Sequence, residues 1–460
     1  MKRILTIALS LAFSLSAFAQ QNARTAFFMN DYAYSYKFNP SFIPTKGHVS
    51  ILGLGNTGAS VESNVDGRMF KFVEHPAEEV VDEYGYSYIK DAYTTTEIDK
   101  KYIKADNKLN ATVDMDLLSI GFRKGKFFHS IDLSLRADAG LRVPGPVLDV
   151  IADAIALGED EEMDFTSASA KNIKIGANTY AELAYGLGWQ LNDKLSVGAR
   201  AKLLLGMAAV DVRFKNIDAQ LNDDILSVNT DGRINLYMPS SVNVPVKDGH
   251  YDFDQLGEDD DFDVASGMPS GFGVAFDLGA SYKIMDGLTA SLSINDLGFI
   301  GWKNSVCGEL GSFEINTAEE EEEDDDLIYI YPAGKGSMHG VTAKMNAAIE
   351  YEIPGAKGLS VGLLGTTRFA GLSSWSEGRL ILTYEAPKVL SVAVSGAASN
   401  FGAGLGCALN LNLGPFGVFA GFDSLVPLFS LDGGRPGSVV NTNARFGLSI
   451  VFGRKQPKND

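Results

Sequence analysis

The side chains best placed to do chemistry are charged residues set at every second position of otherwise apolar stretches. Asp132, Ser134, Arg136 and Asp138 alternate with Ile131, Leu133, Leu135, Ala137 and Ala139. Arg200 and Lys202 alternate with Ala199, Ala201 and Leu203, and Lys344, Asn346, Glu350 and Glu352 interleave with Met345, Ala347, Ile349 and Tyr351. A strand repeats every two residues, so each stretch has one greasy face and one charged face. Charges crowded on one face are costly in a dry core unless paired, and tolerable in a wet interior where opposite signs meet. Asp132, Arg136, Asp138, Arg200, Lys202, Lys344, Glu350, Glu352, Arg379 and Arg445 therefore form a candidate luminal charge ladder. Its chemistry is pairing, stiffening of strands and restriction of a pore.

Catalysis has no comparable support. His48, His75, His129, His250 and His339 lack ligand spacing, and no His-Glu-x-x-His, phosphate-binding loop or nucleophile elbow occurs. Gly53-x-Gly55-x-x-Gly58 matches a dinucleotide fingerprint only in its letters, because it lies in a strand-like stretch with no helix behind it. Serines near the charged faces leave a membrane-embedded hydrolase as the enzymatic alternative, without a motif to back it. No catalytic residue and no cofactor is expected. The acidic runs 159–164, 258–263 and 319–326 need solvent or cations to offset their self-repulsion. Carboxylates are suitable ligands for calcium or another divalent cation, but none of the runs has the glycine-centred calcium-loop pattern. They read as solvated anionic surface, able to exclude anionic solutes or to bridge through divalent cations to lipopolysaccharide.

The elements that must hold these charges are short two-faced strands, clearest near the C-terminus. In the last one, Phe446, Leu448, Ile450 and Phe452 oppose Arg445, Gly447 and Ser449. Similar segments fall at 48–61, 109–124, 126–142, 171–191, 194–215, 272–285, 288–300, 338–353, 359–371, 375–386, 388–398, 401–413, 415–423 and 443–453, with ambiguous ones near 217–240 and 306–317. Segments of about 9–11 residues with one apolar face suit a membrane-spanning barrel, and bacterial barrels favour an even strand number. The expectation is an all-β, single-chain antiparallel transmembrane β-barrel of about fourteen strands, with sixteen as the next even choice. A soluble β-sandwich is the competing fold. Its polar face would be rich in Lys, Glu and Thr, whereas here that face is largely Gly, Ser, Ala and Asn.

Between the strands, 66–107 reads as a long loop with a helical piece around Thr96–Ala105, and Pro144–Leu157 as a short inserted helix. The hairpin at 171–215 is longer than one membrane crossing and should project as an outer ribbon. Phe127, Phe128, Trp189, Trp302 and Trp375 are candidates for interfacial girdles. Cys307 and Cys407 are too few for a disulfide scaffold, and Cys407 sits on an apolar face as a small hydrophobe.

The chain opens with Met1-Lys2-Arg3, an apolar stretch to Phe18 and Ala17-Phe18-Ala19, the pattern of a signal peptide cleaved after residue 19. Losing Lys2 and Arg3 takes the net charge from −19 to −21, which excludes nucleic acid as a partner. The organisation expected is a signal peptide at 1–19, an aromatic-rich hatch-like segment at 20–47, an outer-membrane barrel at 48–453 and a polar tail at 454–460. The bacterial outer membrane is the expected location, with its lipid and lipopolysaccharide as surroundings.

Asn39-Pro40-Ser41-Phe42-Ile43-Pro44, the long early loop and the closing Asn443-Ala-Arg-Phe-Gly-Leu-Ser-Ile-Val-Phe-Gly453 strand resemble an uncharacterised outer-membrane barrel family of Bacteroidota. That family is similar in architecture to the long-chain fatty-acid transporter FadL and to the PorV component of type IX secretion. Likeness to FadL implies an internal N-terminal hatch, here residues 22–47, and a lateral or luminal route for small or hydrophobic solutes. Likeness to PorV implies instead a module that binds another envelope protein at the cell surface.

Overall fold

The two-residue period becomes strands, and connections too short for a crossover join them as antiparallel neighbours. A computed structural model describes residues 23–51, 54–81, 87–90, 92–156, 167–222, 225–239, 244–247, 249–252, 269–303, 305–310, 312–316, 330–332, 338–369, 374–386, 389–424 and 441–453. The signal peptide, the three acidic runs, Leu157 and the polar tail lie outside the described residues.

The wall is built from β1 (Gly47–Ile51), β2 (Thr57–Ser63), β3 (Asp106–Lys124), β4 (Phe127–Pro144), β5 (Ser167–Gln190), β6 (Leu195–Asn222), β7 (Gly271–Met285) and β8 (Leu288–Trp302). It continues through β9 (Ala343–Glu352), β10 (Leu359–Phe369), β11 (Trp375–Ala386), β12 (Leu390–Ser399), β13 (Gly402–Leu413), β14 (Phe416–Ser424) and β15 (Asn441–Phe452). From β2 onward each strand pairs antiparallel with the next, and β15 returns to pair with β1 and β2. Both β1 and β2 lie between β15 and β3, so they share one position and the barrel closes at fourteen. Closure leaves no free edge at membrane depth, as hydrocarbon requires.

The faces sort as the alternation demands. Leu278 (54 % exposed), Leu363 (55 %), Leu380 (58 %) and Leu405 (61 %) point outward, whereas Asp277, Arg200 and Arg379 on the opposite faces are buried. Uncovering side chains of this size to water costs about 1.5–3 kcal/mol each, so a belt of them needs lipid. Connections at 125–126, 191–194, 286–287, 353–358, 387–389 and 414–415 are short and share one end. Gly125 (φ +61°) and Gly414 (φ +65°) supply the left-handed backbone these turns need. The strand ends that lead into the longer connections lie at the other end, with the short turn at 400–401, and by the usual asymmetry of such barrels that end faces outward.

Several expectations are corrected. The first strand, expected as 48–61, is interrupted after Ile51 and resumes at Thr57, and 338–353 splits into Met338–Gly340 and Ala343–Glu352. The stretch 66–107 carries two hairpins, Phe70–His75 with Tyr93–Ile98 and Glu78–Val81 with Ser87–Lys90. Its expected helical piece is a single 3-10 turn, Lys100–Tyr102. The β-branched Thr94, Thr95 and Thr96 go to strand instead, which suits their stiff χ1. The inserted helix, α1, spans Gly145–Ala156. Beyond the belt, β6 changes partner from β7 to Ile225–Tyr237, which extends the wall as a tall ribbon on the outer side.

The girdle is also corrected. Phe127 (38 % exposed) stacks on Trp189 (42 %) at 5.6 Å as expected of interfacial rings. Phe128, Trp302 and Trp375 are buried instead.

Candidate functional site

The inner faces of the strands do not enclose an empty pore. Residues 23–46 enter the lumen as a chain of turns, with 3-10 helices at Arg24–Ala26 and Ser35–Lys37. Two prolines in Asn39-Pro-Ser-Phe-Ile-Pro44 prevent a longer helix or a strand there. Backbone hydrogen bonds of this segment close locally, for example Ala26 N–H to Ala23 O (2.8 Å) and Phe38 N–H to Ser35 O (3.0 Å). Side chains fasten it to the wall. Inward glycines make the fit: a Cβ at Gly198 would lie 2.0 Å from the Pro40 carbonyl oxygen, and one at Gly362 would lie 2.2 Å from the Phe28 ring.

On the side of β3–β8 the contacts are ionic. Lys37 Nζ lies 2.6 Å from Asp116 and 3.3 Å from Asp132, and the Tyr36 hydroxyl donates to Asp132 at 2.7 Å. Arg200 then joins Asp132 to Asp277, both at 2.8 Å. Lys202 bridges Asp277 (2.7 Å) and Asp296, while Arg136 holds Glu182 and Asp296, each at 3.1 Å. On the side of β9–β14 ring packing joins hydrogen bonds such as Asn30 N–H to Glu385 (2.6 Å) and the Asn346 amide to Phe38 O (3.2 Å). Phe27, Phe28, Met29, Tyr32 and Phe38 pack with Leu364, Ile381 and Phe419, and the Tyr32 and Phe419 rings approach to 4.2 Å.

The start of the segment is latched near the outer end of the wall. Asp423 accepts the backbone N–H groups of Arg24 (2.9 Å) and Thr25 (2.8 Å). The Arg24 guanidinium meets Glu62 (3.0 Å), Glu377 (3.2 Å) and Asp423 (3.3 Å) and lies 4.4 Å over the Trp375 ring.

Of the ten ladder residues read from sequence, Asp132, Arg136, Arg200, Lys202 and Lys344 face one network, where Lys344 reaches Asp296 at 3.7 Å. Arg379 belongs to the Arg24 latch through Glu377 (2.8 Å), and Arg445 lies 3.5 Å from Asp114. Asp138 lines the polar chamber beside Lys344 without an ion pair of its own among the described residues. Glu350 accepts the Ser360 hydroxyl at 2.8 Å, away from the network, and Glu352 is exposed near the short-turn end. The ten therefore do not form one continuous row.

Sequence reasoning left out Asp116, Glu182, Asp277, Asp296, Glu62, Glu377 and Asp423, and both plug cations. Asp277 sat on a polar face that was legible by parity. Asp296 was not: it occupies a bulge with φ +60°, where Asn295 and Asp296 both turn inward and break the alternation. Among the described residues, no group of three His, Cys, Asp or Glu is arranged to hold a metal ion. Cys307 and Cys407 form no disulfide among the described residues.

A family model described as a family of unknown function, DUF5723, matches residues 40–423. No curated protein matches the sequence. Among solved structures, the toluene transporter TbuX of Ralstonia pickettii is similar at 10 % identity, with 91 % of this chain and 94 % of that chain covered and a TM-score of 0.40. The toluene transporter TodX of Pseudomonas putida gives 9 % identity, 95 % and 94 % coverage and 0.34. An outer membrane channel from Pseudomonas putida F1 gives 10 %, 89 % and 97 %, and 0.32. The closed wall, the lipid-facing belt and the short-turn/long-loop asymmetry make this chain an outer-membrane β-barrel.

Proposed function

The chain belongs to the DUF5723 family of unknown function, and we propose that it is an outer-membrane channel for small or hydrophobic solutes, shut by its own N-terminal segment. The observation that carries this reading is the way the segment is held. It adds no strand to the sheet: its backbone bonds close locally or go to wall side chains, and the rest of its grip is through ion pairs, hydroxyls and rings. Such a stopper can leave or shift without unzipping a sheet, whereas a fifteenth strand could not. The lumen behind it is wide enough to hold 24 residues of chain, 23–46.

The test is flux through the purified protein in proteoliposomes, with Cys307 and Cys407 replaced by alanine. Ser41 and Ser281 hydroxyls lie 2.6 Å apart, so a Ser41→Cys/Ser281→Cys pair can tie the segment to the wall. Solute uptake is expected from the reduced form and lost on oxidation. Equal uptake in both states, or none in either, would overturn the channel reading.

A second reading draws on the outer ribbon. The 28-residue β6 is more than twice the length that one crossing needs, and with Ile225–Tyr237 it offers paired backbone well beyond the belt. This favours a module that binds another envelope protein. Pull-down from native outer membranes with full-length and ribbon-shortened chains separates the two: a partner lost on shortening supports it, and an unchanged profile removes it.

A further inference from the structure

Outward of Lys37, the lumen holds a polar chamber between the seated segment and the long-loop end. Lys37 and Phe38 form part of its floor, and Asp138, Tyr180, Thr342 and Lys344 are among its walls. Nearly all of its charges are used. Asp114 in its lining meets Arg445 at 3.5 Å and Arg136 at 4.0 Å, and the neighbouring Asp132, Asp277 and Glu182 are held by Arg200 and Arg136. Asp296 already carries Lys202 and Arg136 at close range, so its 3.7 Å contact with Lys344 is the loosest of the three. Asp138 has no hydrogen bond or ion pair among the described residues. Among the described residues, Asp138 is thus the lining carboxylate without a partner, and Lys344 is the lining ammonium held only at 3.7 Å. They stand on β4 and β9 and line the same chamber, close enough for one small molecule to meet both.

We propose that this chamber is a binding site for a small zwitterion of amino-acid size, its ammonium on Asp138 and its carboxylate on Lys344. The inference rests on the channel reading for its purpose, and it narrows the solute class to polar. Other classes fit worse. An apolar solute would strip water from both charges without replacing it, and burying an unpaired charge is expensive. A simple anion would serve Lys344 and be repelled by Asp138, and a simple cation would do the reverse. A zwitterion satisfies both and leaves the balance of the lumen unchanged. Tyr180, in the same lining, adds a hydroxyl with no partner among the described residues.

The experiment is calorimetric titration of the detergent-purified full chain with L-alanine, N-acetyl-L-alanine and L-alaninamide. L-alanine is expected to bind, and each capped derivative, lacking one of the two charges, to bind at least tenfold more weakly. Asp138→Asn and Lys344→Met should each weaken L-alanine at least tenfold. The exchanged pair Asp138→Lys/Lys344→Asp should recover it, with heat-modified gel mobility verifying a folded barrel in every variant. No L-alanine binding, capped forms that bind as well, or substitutions without effect would each overturn the proposal. Binding without flux in proteoliposomes would uphold this site and sink the channel reading, whereas flux of uncharged solutes without L-alanine binding would do the opposite.

Discussion

Past the Arg24 latch, the two sides of the lumen hold the same segment by different balances of charge and packing. Against β3–β8, Lys37 and Tyr36 are fixed by directional contacts to Asp116 and Asp132, carboxylates that are themselves held by Ser134, Ser119 and Arg200. Against β9–β14, Phe27, Phe28 and Met29 rest on Leu364, Ile381 and Phe419 with no such direction. The difference teaches how a stopper can be both specific and removable. Ionic contacts fix its register and are lost abruptly when a partner is removed, while ring packing tolerates small shifts and supplies adhesion.

Substitutions on each side sharpen the contrast. Lys37→Met leaves Asp116 and Asp132 buried without their shared cation and should cost about 3–5 kcal/mol, the largest effect expected. The denaturant midpoint of the heat-modifiable barrel band reports it, and a loss below about 1 kcal/mol would mean that the pair does not anchor the segment. Phe28→Ala opens a cavity on the apolar side and should cost about 3 kcal/mol, the low end for such a truncation, because the neighbouring rings can settle into it. A larger loss there than for Lys37→Met would reverse the assigned roles. Tyr36→Phe removes one hydrogen bond to a charged acceptor and should cost about 1.5–3 kcal/mol. It should lie toward the lower figure, since Ser119 and Arg200 still hold Asp132. A loss matching that of Lys37→Met would make the hydroxyl, and not the ammonium, the anchor.

The wall was readable because it obeys one rule. Val274, Phe276 and Leu278 alternate with Ala275 and Asp277 in sequence, and the same residues divide into exposed and buried in the structure. The inserted helix was readable from its proline start and apolar spacing. The aromatic girdle was misread because residue type was trusted over parity. Trp375 shares parity with Glu377 and Arg379, and Phe128 shares it with Ser130 and Asp132, so each points inward with its charged companions. The roles of Arg24 and Lys37 were not legible, because 3-10 turns carry no period and their partners lie 399 and 79 residues away. Which luminal charges meet is set by stagger between strands, and that is written in no single strand.

The N-terminal segment sits inside the barrel with its start latched near the outer end. Thr25 and Ser395 hydroxyls lie 2.8 Å apart, so the most direct measurement is disulfide formation by Thr25→Cys/Ser395→Cys in native outer membranes, in a background lacking Cys307 and Cys407. Near-complete cross-linking under mild oxidation, with a folded-barrel gel mobility, is the expected result. Absence of the cross-link in barrels that are folded by the same criterion would contradict it.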